Sequence, residues 1–170
     1  MPKISTKTAD FAVYANGAKM SDVMEVELPE VEFTTDEISG GGIIGKIDMP
    51  STFSPESMEM TIKVRSTADP ESYNNLIKGG NIEIRWAVDI VDSTTGMPDL
   101  VGNKAFCTAM PKTISDGTLE SGAAQEAENT YELITYKRMI NGVTVLEVDK
   151  LNGILKIGGK DYSSKLSTLL

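Results

Sequence analysis

MEMTIKVR, residues 58–65, is the stretch whose reading decides the fold class. Met58, Met60, Ile62 and Val64 alternate strictly with Glu59, Thr61, Lys63 and Arg65. A period of two sends alternate side chains to opposite faces of a sheet, so this segment reads as a strand with one face on a core and the other in water. The pattern extends outward in both directions. In residues 23–33, Met24, Val26 and Leu28 alternate with Glu25 and Glu27; Pro29 shifts the register, and Val31 and Phe33 resume against Glu30 and Glu32. In residues 82–90, Ile82, Ile84, Trp86, Val88 and Ile90 alternate, with Glu83, Arg85 and Asp89 opposite and Trp86 expected as a core anchor. Residues 11–14, 101–115, 128–140 and 143–148 read as further strands, and Ile154 to Ile157 with Gly158-Gly159 lead into the tail. Asn16-Gly17 and Asn141-Gly142 mark tight turns.

One segment breaks the β pattern. Asp69-Pro70 supplies an N-cap and first-turn pair, Tyr73, Leu76 and Ile77 fall at helical spacing, and Gly79-Gly80 stops the element. A short helix over about 69–79 is expected, with little other helix. Residues 116–125 (DGTLESGAAQ) read as an exposed loop, and Leu166, Leu169 and Leu170 as an apolar tail. Strands separated by turns, with one helix, predict a mainly β chain: a single domain over residues 1–170, built as an antiparallel β-sandwich or barrel.

Composition narrows the function. The 170 residues carry a formal net charge of −9, which disfavours a surface built to grip nucleic acid. Histidine is absent, so the commonest general base and zinc ligand is missing, and any chemistry would rest on carboxylates. Cys107 stands alone between Ala105, Phe106 and Ala109 and reads as a buried, inert thiol. The first residues show no signal peptide and no stretch is long enough to span a membrane, so synthesis in the cytoplasm is expected.

Two features invite a functional reading. In ISGGGIIGKIDMP, residues 38–50, Gly40, Gly42 and Gly45 satisfy a dinucleotide-binding pattern, and Gly40 with Gly45-Lys46 most of a phosphate loop. Both motifs need a helix to begin at the glycines. Here Ile47 stands where a magnesium-binding hydroxyl belongs, and Pro50 would block the first turns. The alternative is an extended arm over about 38–56, in which Gly40, Gly41, Gly42 and Gly45 supply freedom and Ile43, Ile44, Ile47 and Met49 seek a docking surface. The second feature is the run of acids at Glu25, Glu27, Glu30 and Glu32, echoed by Glu120, Glu126 and Glu128. Neither cluster has calcium-loop spacing or aromatic sugar platforms, so a solvated sheet face explains them better than catalysis or metal binding.

Several residues also resemble a family, the major tail tube proteins of contractile-tailed phages and phage-tail-like bacteriocins. The resemblance runs through Val26-Glu27-Leu28-Pro29, the arm SGGGIIGKIDMP, residues 58–62, and ITYKRMINGVTVLEVDKLNGILKIGGKDY in the last forty residues. It implies a structural subunit without catalysis or cofactor. Its arm would reach an adjoining ring, and its inner sheet (residues 23–33, 57–66, 104–115 and 128–140) would complete a ring-wide barrel in stacked hexameric rings. The partners implied are further copies of the chain, a sheath protein, baseplate or initiator proteins and a tail terminator. DNA would pass in transit without specific binding, and the subunit itself would not bind membrane. The implied location is a virion tail or tail-like particle, made in a bacterial host. Glu25, Glu27 and Glu59 are the expected lumen-facing residues, with Lys63 and Arg65 neutralising neighbours across the subunit boundary. The competing reading is a monomeric β-sandwich that binds calcium or carbohydrate.

Overall fold

The computed structural model describes residues 3–170. The chain runs through β1 (Lys3–Ala15), β2 (Ala18–Lys19), β3 (Val23–Glu27), β4 (Phe33–Ser39), β5 (Lys46–Pro55) and β6 (Glu59–Val64). Helix α1 (Pro70–Lys78) follows, then β7 (Gly80–Asp92), β8 (Pro98–Ser115), β9 (Ala127–Ile140), β10 (Val143–Asp149), β11 (Ile154–Ile157), β12 (Lys160–Asp161) and helix α2 (Ser163–Leu169). All strand pairs are antiparallel.

Ten strands form one branched sheet and β4–β5 a separate ribbon. The branch is on β9. Its first half pairs with β6 (Glu59↔Glu132 to Val64↔Ala127), and its second half pairs with β10 on the same edge. The opposite edge of β9 pairs with β8 along almost its whole length, with register shifts between Thr108 and Ala109 and between Pro111 and Thr113. Such bulges bend long strands and let them pass from one layer to another. The early half of β9 and the late half of β8 therefore belong to an inner layer with β6 and β3, and their other halves to an outer layer with β7, β1 and β10.

Between the layers lies one apolar core. Met58, Met60, Ile62 and Val64 from the inner layer meet Val13, Ile82, Ile84, Val148 and Leu155 from the outer, with Tyr131 and Leu133 at the branch. Full burial of each such side chain contributes about 1.5–3 kcal/mol. Cys107 is part of this core, and burial pushes its thiol up to about 12, which makes it a packing residue. Trp86 is only partly buried: it packs against the edge of the core with the Arg138 guanidinium 5.2 Å from its ring centroid, so it borders the core instead of anchoring it.

Helix α1 closes one side of the sandwich. Asp69 accepts from the backbone N–H groups of Glu71 and Ser72, and Pro70 occupies the first turn where its missing N–H costs nothing. Leu76 is buried, and its carbonyl accepts the Tyr131 hydroxyl. Gly79 ends the helix at φ +68°, and an added Cβ would stand 2.6 Å from the Ala109 carbonyl oxygen, so only glycine fits.

Several expectations are corrected. Residues 23–33 are not one strand: pairing stops at Glu27, just before Pro29, and Phe33 opens the ribbon. A register shift between Val23 and Glu25 extrudes Met24, which is exposed, so the apolar face of β3 is Val23 and Val26. Strand β1 begins at Lys3, far ahead of Phe11, because the late half of β7 offers it partners down to Lys3↔Asp92. The apolar tail is a second helix, α2, begun by Asp161, whose carboxylate accepts from the N–H groups of Ser163 and Ser164 and lies below the usual carboxylate range through its bond to the Ser163 hydroxyl.

Candidate assembly surface

Four strands carry the surface, in the order β3–β6–β9–β8. They differ from the inner-sheet segments expected from the sequence in that β3 is shorter and only residues 110–115 of β8 and 127–132 of β9 share the layer with β6, the rest of both strands pairing with β7 and β10. Pairing sets the face of each side chain. Glu25 lies opposite Lys63, which lies opposite Glu128 and then Ser115; Glu27, Thr61, Thr130 and Thr113 form the next row; Glu59, Glu132 and Met110 form the third. Glu25, Glu27 and Glu59 are thus brought together on the polar face of one layer, with the core on the other face.

Like charges directly opposite each other repel, and Glu59 faces Glu132. Lys112 resolves the conflict. Projecting from the irregularity after Pro111, it hydrogen-bonds Glu59 and stands 3.7 Å from Glu132, while the Ser57 hydroxyl donates to Glu132 at 2.8 Å. The bond to Glu59 holds the Lys112 ammonium protonated above the ordinary lysine range. Sequence reading missed Lys112 and Glu132. The available signal was Pro111, since proline inside a strand marks a bulge or an edge. Lys63 lies 3.8 Å from Glu25 and Arg65 3.9 Å from Asp22 of the same chain, so both find partners within the subunit because β3 and β6 are neighbours. Exposed as they are, these pairs are worth little.

Both margins of the four-strand layer are free among the described residues. Strand β3 pairs only with β6, and on β8 the pairing with β7 stops at Ala109, so residues 110–115 pair only with β9. Unpaired margins of this kind are templates for another strand.

The arm is a β-ribbon. Strands β4 and β5 pair from Phe33↔Pro55 to Ser39↔Lys46, so it covers residues 33–55 and not 38–56. Gly40, Gly42 and Gly45 take φ values of +102°, +84° and +79°, and Ile43 N–H donates to the Gly40 carbonyl at 2.9 Å. The glycines thus serve a tight tip, and Lys46 begins a strand where a phosphate loop requires a helix. Gly41 and Gly42 lie exposed at the tip, Ile44 is fully exposed, Ile43 half-buried, and Ile47, Met49 and Phe53 line the ribbon with more than two fifths of each surface in solvent. Phe53 meets Tyr162 edge-on, with centroids 6.3 Å apart, at the root of the arm.

Among the described residues no group of three acidic or cysteine side chains could hold a metal ion. No helix among them is long and apolar enough to cross a membrane.

Comparison with known proteins agrees with this geometry. A search of curated protein sequences finds no match. The fold is similar to a chain in the cryo-EM structure of the PVC sheath/tube terminator of an extracellular contractile injection system, extended state (TM-score 0.52, 14% identity, 77% of this chain and 94% of that one). It is also similar to a chain of the PVC sheath-tube complex in the extended state (TM-score 0.51, 16% identity, 76% of this chain and 87% of that one). The family model described as phage tail tube protein FII matches residues 5–170, nearly the whole of the chain. This chain therefore belongs to the phage tail tube protein FII family, and it is a structural subunit of a tail tube.

Proposed function

We propose that copies of the chain join head to tail into rings of six, which stack into the hollow inner tube of a contractile tail or tail-like particle. The observation that carries this is a four-strand layer with both margins open. Three antiparallel pairings separate β3 from β8, so the two margins run in opposite directions. Strand β8 of one copy beside β3 of the next then makes another antiparallel junction, and a cyclic ring continues the alternation without a break. Six copies contribute 24 strands. At ordinary spacing and tilt these close into a barrel roughly 45–50 Å across its backbone, wide enough to be hollow.

The polar face becomes the lumen wall. Glu25, Glu27, Glu59, Glu128 and Glu132 against Lys63 and Lys112 leave an excess of three negative charges per copy. Around a ring these fields overlap within a Debye length of about 8 Å, and the wall repels phosphate, which suits passage of DNA without binding. The arm, with Gly40, Gly41, Gly42, Ile43, Ile44, Gly45 and Ile47 at its distal end, docks on the adjoining ring. The outer layer meets a sheath, and baseplate and terminator proteins close the ends of the tube. The subunit performs no catalysis and binds no membrane. A calcium- or carbohydrate-binding module draws no support from the family.

Electron microscopy and mass measurement of the purified protein test this reading, with rings or tubes expected above a threshold concentration or on seeding with a baseplate. A protein that remains monomeric under both conditions overturns it.

A further inference from the structure

The two margins of the inner layer differ in what they show on the core side. At the β3 margin an apolar groove of about 140 Å³ opens between the layers, lined by Thr8, Phe11, Val26, Leu28, Ile84 and Trp86. Its inner-layer lining comes only from Val26 and Leu28, with no residue of β6 or β9, so it lies at the edge of the sandwich. Its back wall is stiffened by the Arg138 guanidinium stacked on Trp86.

At the β8 margin the relation is reversed. Val26, Ile62, Asn129 and Ile114 lie in one row across the four strands, which puts Ile114 on the core side of the layer. Ile62 and Asn129 are buried, yet Ile114 is 53% exposed, because no strand lies beyond it. Among the four strands it is the one large apolar side chain that points to the core side and remains more than half exposed. One margin has an apolar hollow without a filling, and the other an apolar side chain without a cover.

Resting on the ring reading above, we infer that Ile114 of one copy enters the groove at Phe11, Val26, Leu28, Ile84 and Trp86 of the next, so that the apolar core runs on around the ring. The occupant is a second copy because the groove adjoins a free strand edge, and the strand that completes such an edge brings its own core-side residues with it. Side chains that share a face in a continuous sheet stay on that face across the junction, which directs Ile114 between the layers and not into the lumen. The fit is right in size: an apolar cavity of about 150 Å³ accepts benzene, and an isoleucine side chain has four carbons. Main-chain pairing supplies attraction at this junction, and Ile114 with its groove supplies register and exclusion of water.

The test places one cysteine on each margin, Leu28→Cys with Ile114→Cys, in a Cys107→Ala background, and treats assembled protein with a short bifunctional thiol cross-linker. Denaturing gels should show a covalent ladder from the double variant and none from either single variant. Ile114→Ala, exposed in the free subunit, should leave its circular dichroism unchanged and raise the concentration needed for half assembly roughly tenfold to a hundredfold. Rings that form without a ladder, together with unchanged assembly of Ile114→Ala, overturn the inference and leave the ring reading standing. Wild-type protein that makes no rings overturns both.

Discussion

The sandwich and the ribbon are built from the same kind of strand and end in opposite states. In the sandwich, Met60, Ile62, Tyr131 and Leu133 are almost wholly buried; in the ribbon, Ile44, Ile47, Met49 and Phe53 stand largely in solvent. The sandwich buries these side chains within the subunit. The ribbon buries little beyond its root, where Phe53 meets Tyr162 and pairing resumes with Phe33↔Pro55. A lone two-stranded hairpin is at best marginally stable in water, and exposed side chains such as Ile44 add little to the monomer. The difference teaches that the ribbon tip and the core can be disturbed separately: a substitution at the tip should spare the stability that a substitution in the core removes.

The largest loss of stability should come from the sandwich. Tyr131→Ala empties a buried ring position and frees the Leu76 carbonyl, and chemical denaturation should show about 3–5 kcal/mol of destabilisation, with assembly failing only because the subunit unfolds. Gly79→Ala attacks the same region through the backbone. With φ at +68° and the Ala109 carbonyl 2.6 Å from the new Cβ, it should cost about 1–3 kcal/mol, read as a drop of several degrees in Tm.

Alkali should weaken the fold by a defined route. Burial first, then the hydrogen bond to Asp116, raises the Tyr73 hydroxyl to about 12, whereas in the unfolded chain tyrosine ionises near 10. The folded state thus favours the neutral form. Its contribution is whole below about pH 10 and is lost as pH climbs from 10 towards 12. Tyr131, raised further by burial, should release its proton only on unfolding. Tyrosinate absorbance followed beside circular dichroism checks the order: phenolate from Tyr131 ahead of unfolding would contradict its burial.

The smallest effect on stability should accompany the largest on assembly. Ile43→Asp with Ile44→Asp at the ribbon tip should change unfolding free energy by no more than about 0.5 kcal/mol while abolishing tubes in electron micrographs. Should the isolated subunit unfold instead, the contrast between the two regions would be wrong and the arm would belong to its own core.

Legibility followed the same division. The core residues Met58, Met60, Ile62, Val64, Ile82 and Ile84 could be read directly, because a period of two names the face of each residue within its own strand. Helix α1 was readable from its ends, Asp69-Pro70 and Gly79. The polar face holding Glu25, Glu27 and Glu59 followed from alternation, but Lys112 and Glu132 did not, since what joins them to Glu59 is the pairing of β6 with β9 and of β9 with β8. Strand β5 was missed because Pro50 and Pro55 argue against a strand; a two-stranded ribbon has an unpaired edge on each strand, where a missing N–H costs little. The extrusion of Met24 left no mark in the local pattern, which reads the same with or without a bulge.

By itself, then, the sequence determined the β character of the chain, the buried face of most strands, the cap and stop of α1 and the acidic surface. Each of these depends on residues near one another in the chain, where period, propensity and charge act directly. Only the tertiary structure decided that β9 divides its edge between β6 and β10, that β3 and the end of β8 are each left with one free edge, and that Ile114 and the Trp86 groove stand at opposite margins. Those outcomes depend on which distant strands meet and in what register, and that is settled by the shared burial of the whole core.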